Sequence, residues 1–138
     1  MTDRHLIARK LAHIEANVQE LRDLGHPAEI QDDVRERRFV ERTLELAIQA
    51  MLDVAANILA DEPPGEPGTH RGLIEPLEQS GWVQADLAAQ LRVWVKLRNT
   101  LVYDYESVDL ELVERVATEH LNGFLAFVRS IQQQLMPS

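Results

Sequence analysis

The sequence predicts an all-α fold: an antiparallel helical bundle of four long helices plus one short helix. Three observations predict it. Apolar residues recur at steps of three and four along four long segments, which is the period of one helix face. No stretch alternates apolar and polar residues for long, as a half-buried strand would. No Asn-Gly or Asp-Gly pair stands between two alternating runs, the mark of a β-hairpin.

The first helix rests on Ile7, Leu11, Ile14, Val18 and Leu21, spaced 4, 3, 4, 3. Thr2 or Asp3 can cap its start, and Gly25-His26-Pro27 ends it. The second runs from about Asp32 to Ala60, with a broad face of Val40, Leu44, Ala47, Ile48, Met51, Val54, Ala55 and Ile58. Asp32 and Asp33 suit its N-terminus through capping and the helix dipole. Asp61 to Gly68, rich in proline and glycine, reads as a loop within the domain. Leu73 to Gln79 predicts one or two turns of helix, ended by Ser80-Gly81. The fourth helix is expected from Gln84 to Tyr105 on Leu87, Leu91, Trp94, Val95, Leu101 and Val102. The fifth starts near Asp109, a good N-cap, and carries Val113, Val116, Leu121, Phe124, Val128, Ile131 and Leu135 before Pro137.

A chain of 138 residues fits one domain, taken as 1–138. It contains no cysteine, which excludes disulfides, thiol catalysis and thiolate metal sites. No apolar run approaches the roughly 20 residues of a membrane-spanning helix. Met1 to Lys10 mixes charge with Leu6 and Ile7 and lacks the apolar stretch of a signal peptide, so a cytoplasmic location is expected. The formal net charge of −9 argues against a protein that coats DNA without regard to sequence. Residues 84–105 run against that balance, with three positive and two negative groups.

Metal and cofactor motifs are not found. His5, His13, His26, His70 and His120 show no i, i+4 pair of the kind a helical zinc site uses. No glycine-rich phosphate loop or calcium loop is present. Arg35, Arg37, Arg38 and Arg42 are interleaved with Glu36, Glu41 and Glu45. That pattern is either a salt-bridged solvated face or the border of a phosphate-binding cleft. Arg98 is more pointed. At helical spacing it shares a face with Leu91, Trp94, Val102 and Tyr105, a stripe otherwise apolar. A charge there is either satisfied inside the core or lines an interface or cleft, because burying it alone is costly.

The segment Arg98-Asn99-Thr100-Leu101-Val102-Tyr103-Asp104-Tyr105 resembles the motif of HepT-like toxins, ribonucleases of the HEPN superfamily. That motif usually reads Arg-Asn-x-x-Val-His-x-Tyr, and Arg98, Asn99, Val102 and Tyr105 stand in register with it. Glu41 to Ala55 is similar to the family's second helix, and the resemblance extends over nearly the whole chain. It implies a metal-independent endoribonuclease that acts as a homodimer and needs no cofactor. Arg98 would hold the RNA phosphate, assisted by Asn99; an arginine fork meets two phosphate oxygens at once. The family's histidine, the acid or base for attack by the RNA 2′-hydroxyl, is replaced here by Tyr103. A phenol with an ordinary pKa near 10 is ionised to about one part in a thousand at pH 7, but it can donate a hydrogen bond or a proton. The resemblance also implies a nucleotidyltransferase antitoxin, MntA-like, that inactivates the toxin by adding AMP to Tyr105.

Three readings follow: a ribonuclease toxin using Arg98 and Tyr103, a catalytically degenerate HEPN module that keeps its dimer and its nucleotidyltransferase partner, and a helical bundle whose arginine is structural. A nucleotidyltransferase gene beside this one would favour the first two, and RNA cleavage separates those from each other.

Overall fold

The computed structural model describes residues 2–60 and 70–135. Among them every regular element is helical. The helices are α1 (Arg4–Leu24), α2 (Val34–Leu59), α3 (Ile74–Gln79), α4 (Ala85–Tyr103), α5 (Leu110–Glu119) and α6 (Leu121–Leu135). Single 3-10 turns stand at Pro27–Glu29, His70–Leu73 and Tyr105–Ser107. The loop expected at Asp61 to Gly68, and Pro137, lie outside the described residues.

The helix starts follow the acids. Asp3 caps α1 by accepting from the Leu6 amide, Asp33 caps α2 through the amides of Arg35 and Glu36, and Asp109 caps α5 through those of Glu111 and Leu112. Each satisfies amides that the helix itself leaves unbonded. Gly81, at φ +83°, makes the left-handed turn after α3 that a β-carbon would strain.

The helices pair antiparallel. The Asp3 amide meets Asn57 Oδ1 at 2.8 Å and Lys10 meets Asp53 at 3.0 Å, so the start of α1 lies against the end of α2. Arg4 reaches the Leu135 carbonyl and Arg22 reaches Asn122, which runs α6 back along α1. All five residues of the α1 stripe, Ile7, Leu11, Ile14, Val18 and Leu21, are buried against this sandwich. Burying such a side chain contributes roughly 1.5–3 kcal/mol each, whereas the exposed pairs Arg42–Glu45 and Arg92–Glu78 contribute at most about 1 kcal/mol.

Two boundaries differ from the sequence expectation. The long last helix is two helices, broken at His120 (φ −104°, ψ 0°). The reason is local packing. Trp94 is fully buried, stacks edge-on to Phe124 at 4.6 Å, and donates from Nε1 to His120 Nδ1 at 2.8 Å. Gly123 lies so close that a β-carbon there would stand 2.8 Å from Trp94 Cζ2. The break lets His120 and Gly123 fit around the indole. Burial lowers the His120 pKa below the usual histidine value, with Glu119 pulling it up and Arg115 down. The second difference is the end of α4 at Tyr103 rather than Tyr105. Asp104 leaves helical geometry (φ −147°, ψ 57°) and the chain turns into the 3-10 segment.

Candidate functional site

The end of α4 and the start of α2 meet, and the polar residues of both gather there. Arg98 is 8% exposed, on a stripe with the buried Leu91, Trp94 and Leu101. Its Nη1 donates to Asn99 Oδ1 at 2.9 Å, and its guanidinium lies 5.6 Å from the centre of the Tyr103 ring. Such a planar cation against an aromatic face is favourable by about 0.5–1 kcal/mol when exposed. Tyr103 itself is 73% exposed. Arg98, Asn99 and Tyr103 therefore lie together, as the resemblance implies.

Tyr105 is placed differently from the sequence expectation. Because α4 ends at Tyr103, Tyr105 is not on the helical stripe of Arg98, and Val102, expected on that stripe, is exposed. The turn after Asp104 carries the Tyr105 side chain toward α2. There its hydroxyl accepts from Arg38 Nη1 and donates to Glu41 Oε1 at 2.6 Å. The Arg38 guanidinium also lies 5.3 Å from the centre of the Tyr105 ring. Burial raises the Tyr105 pKa above the ordinary tyrosine value; the hydrogen bond to Glu41 and its charge raise it further, while Arg38 and Arg37 pull it down. The phenol accordingly keeps its proton and points it at Glu41.

Three of the four α2 arginines, Arg37, Arg38 and Arg42, differ in what their side chains meet. Arg37 binds the Ile30 carbonyl and Arg42 pairs with Glu45, so both belong to the salt-bridged, structural reading. Arg38 also faces a carboxylate, Glu41 at 3.8 Å, but its side chain is 60% exposed and reaches on to Tyr105. Glu41 was legible as part of a charge pattern and as the first residue of the segment similar to the family's second helix. In the fold it is a buried carboxylate, 5% exposed, and its Oε2 has no hydrogen-bond partner among the described residues. A buried acceptor of that kind asks for an explanation. No signal in the sequence pairs Arg38 and Glu41 with Tyr105, more than sixty residues away.

Among the described residues no three His, Cys, Asp or Glu side chains are grouped so as to hold a metal ion. No helix among them is long and apolar enough to cross a membrane.

The site invites comparison with known proteins. Residues 11–131 match the family model described as Ribonuclease HepT-like. The mRNA nuclease HepT of Shewanella oneidensis is 26% identical over 130 residues, spanning 94% of this chain and 98% of that protein. The tRNA nuclease HepT of Aphanizomenon flos-aquae is 29% identical over 98 residues, spanning 71% of this chain and 67% of the relative. A solved structure of the tri-AMPylated Shewanella oneidensis HEPN toxin in complex with MNT antitoxin superposes with a TM-score of 0.84 at 27% identity, covering 96% of this chain and 99% of that one. A toxin–antitoxin complex with AMP-PNP superposes with a TM-score of 0.85 at 25% identity, covering 94% and 99%. With the family pattern matched across all but the ends, the chain belongs to the Ribonuclease HepT-like family.

Proposed function

We propose that the chain is the endoribonuclease toxin of a toxin–antitoxin pair, acting in the cytoplasm as a homodimer and neutralised by a nucleotidyltransferase that adds AMP to Tyr105. The observation that carries this reading is Arg98: a guanidinium set into an apolar stripe, framed by Asn99 and Tyr103, in a chain of this family.

The chemistry follows from those groups. Arg98 takes two oxygens of the scissile phosphate through its fork. Asn99, already bonded to Arg98, holds the fork in place and offers its amide hydrogens to the same phosphate. The RNA 2′-hydroxyl attacks the neighbouring phosphorus; the new 2′-oxygen bond forms as the bond to the 5′-oxygen breaks. The 2′-hydroxyl proton passes to solvent, and the exposed Tyr103 hydroxyl donates a proton to the departing 5′-oxygen. This sequence of steps uses no metal and no cofactor. Adenylation of Tyr105 would place a phosphodiester charge and a nucleoside beside the same helix end, repelling the RNA backbone.

The dimer is supported by the exposed apolar side chains of the helix that bears Arg98: Val93 on one side of α4, and Val102 and Tyr103 in its last turn, stand out to solvent. Sedimentation at micromolar concentration should show about twice the 15.7 kDa of one chain; a monomer alone would contradict it.

A second reading is favoured by Tyr103. It stands where the family has histidine, and its hydroxyl makes no hydrogen bond among the described residues. In that reading the chain binds its nucleotidyltransferase without cutting RNA. Incubation of the purified dimer with a mixed pool of tRNA and mRNA decides: cleavage lost in Arg98→Ala supports the ribonuclease, and no cleavage by the parent supports the binding module.

A further inference from the structure

We propose that this chain supplies part of the machinery for its own modification: Glu41 accepts the phenolic proton of Tyr105, and Arg38 holds the phosphate that Tyr105 attacks. The inference rests on the reading of Tyr105 as the adenylated residue and adds two residues to it.

The geometry is directional. Arg38 donates into the Tyr105 oxygen, and that oxygen donates onward to Glu41 Oε1 at 2.6 Å. The proton that must leave is therefore already shared with a carboxylate. Glu41 is buried on α2 at 5% exposure, and its Oε2 lone pairs have no donor among the described residues. Tyr105 is 42% exposed, which leaves its oxygen reachable by a nucleotide. Arg38, with a side chain 60% exposed, lies at the mouth with N–H groups to spare for phosphate oxygens.

The step balances without another reagent than a nucleoside triphosphate. The Tyr105 oxygen attacks the α-phosphorus, the new O–P bond forms, the α–β bridging bond breaks, and pyrophosphate leaves. The phenolic proton goes to Glu41. Arg38 shifts from the phenol oxygen to the α-phosphate and afterwards neutralises the phosphodiester. This arrangement answers the difficulty that a phenol with a raised pKa is a poor nucleophile until a base takes its proton.

The test is transfer of label from ATP labelled at the α-phosphate, using the full chain mixed with a nucleotidyltransferase antitoxin of the MNT type, with the modified residue located by mass mapping. The parent should be labelled at Tyr105, at a rate that changes little above neutral pH because the acceptor is built in. Glu41→Gln should slow labelling by about 10²- to 10⁴-fold at neutral pH, with a rate that climbs about tenfold per pH unit as solvent takes over. Glu41→Asp, which keeps a carboxylate, should recover part of the loss. Arg38→Ala should slow transfer by about 10²- to 10³-fold and Arg38→Lys by less. Circular dichroism checks that each variant is folded.

Glu41→Gln labelled at the parent rate and pH profile overturns the role of Glu41, and Arg38→Ala at the parent rate overturns that of Arg38. If Glu41→Gln does not fold, the parent profile decides: a rate rising about tenfold per pH unit through neutrality would mean that solvent, not Glu41, takes the proton. Failure of the underlying reading looks different. Tyr105→Phe labelled as well as the parent, or a parent that takes no label, removes Tyr105 as the target.

Discussion

The middle and the end of α4 differ sharply in how they treat polar groups. In the middle, Trp94 is fully buried, its indole N–H is answered by His120, and Phe124 and Gly123 close around the ring. At the end, a guanidinium sits on the same stripe, Tyr103 stands out to solvent, and the carboxylate facing Tyr105 keeps one oxygen without a donor among the described residues. One helix thus combines a closed middle with a last turn whose Tyr103 is exposed to solvent. Helical spacing alone does not distinguish the two; what distinguishes them is which element packs against each.

That contrast predicts separable defects. Trp94→Ala should remove the largest share of stability, about 3–5 kcal/mol, because the cavity left in a close-packed core does not collapse fully. Denaturant unfolding measures it; a loss under about 1 kcal/mol would mean that the indole is not the keystone of the α5–α6 break.

Gly123→Ala comes next. Its β-carbon would stand 2.5 Å from Gln90 Oε1, 2.8 Å from Trp94 Cζ2 and 2.9 Å from Trp94 Cη2. The expected destabilisation is about 1–3 kcal/mol from overpacking. Label transfer to Tyr105 per folded molecule should stay at the parent level, since Tyr105 lies beyond the end of α4 and Gly123 packs on Gln90 and Trp94 further back along it. A thermal midpoint equal to that of the parent would show that the indole moves aside freely.

The smallest effect is a pH dependence. Burial depresses the His120 pKa, so the folded protein favours the neutral ring that accepts from Trp94. The unfolded chain binds the proton more readily, so the contribution of His120 is fully present above about pH 6.5. It is lost as pH falls from there through the lower folded value. Comparing the parent with His120→Phe from pH 7.5 to 5, the parent should show the steeper decline in stability, and parallel curves would contradict the assignment.

Much of this contrast was legible in the sequence and part was not. The α1 stripe and the caps at Asp3, Asp33 and Asp109 were readable because each depends on residues within one or two turns. The break at His120 left a trace in Asn122-Gly123, but the indole that shapes it comes from another helix. Arg98, Asn99 and Tyr103 were readable as one group only through the resemblance to the family motif, since helical spacing alone placed Arg98 with Trp94, Val102 and Tyr105. Tyr105 was assigned to the wrong face because nothing in Tyr103-Asp104-Tyr105 stops a helix as glycine or proline would. Its partners Arg38 and Glu41 depend on how α2 crosses the end of α4, a tertiary fact with no local signature.

The central claim, that the open end of α4 is a ribonuclease site using Arg98 and Tyr103, is tested most directly by a two-by-two comparison of RNA cleavage. The four proteins are the parent, Tyr103→His, Arg98→Ala and the double variant, all as folded dimers. Tyr103→His should raise cleavage within the range of about 10²- to 10⁴-fold that a positioned acid–base group supplies. Arg98→Ala should abolish cleavage in both backgrounds, because phosphate binding precedes proton transfer. No cleavage by either the parent or Tyr103→His would contradict the claim and leave the chain as a binding module.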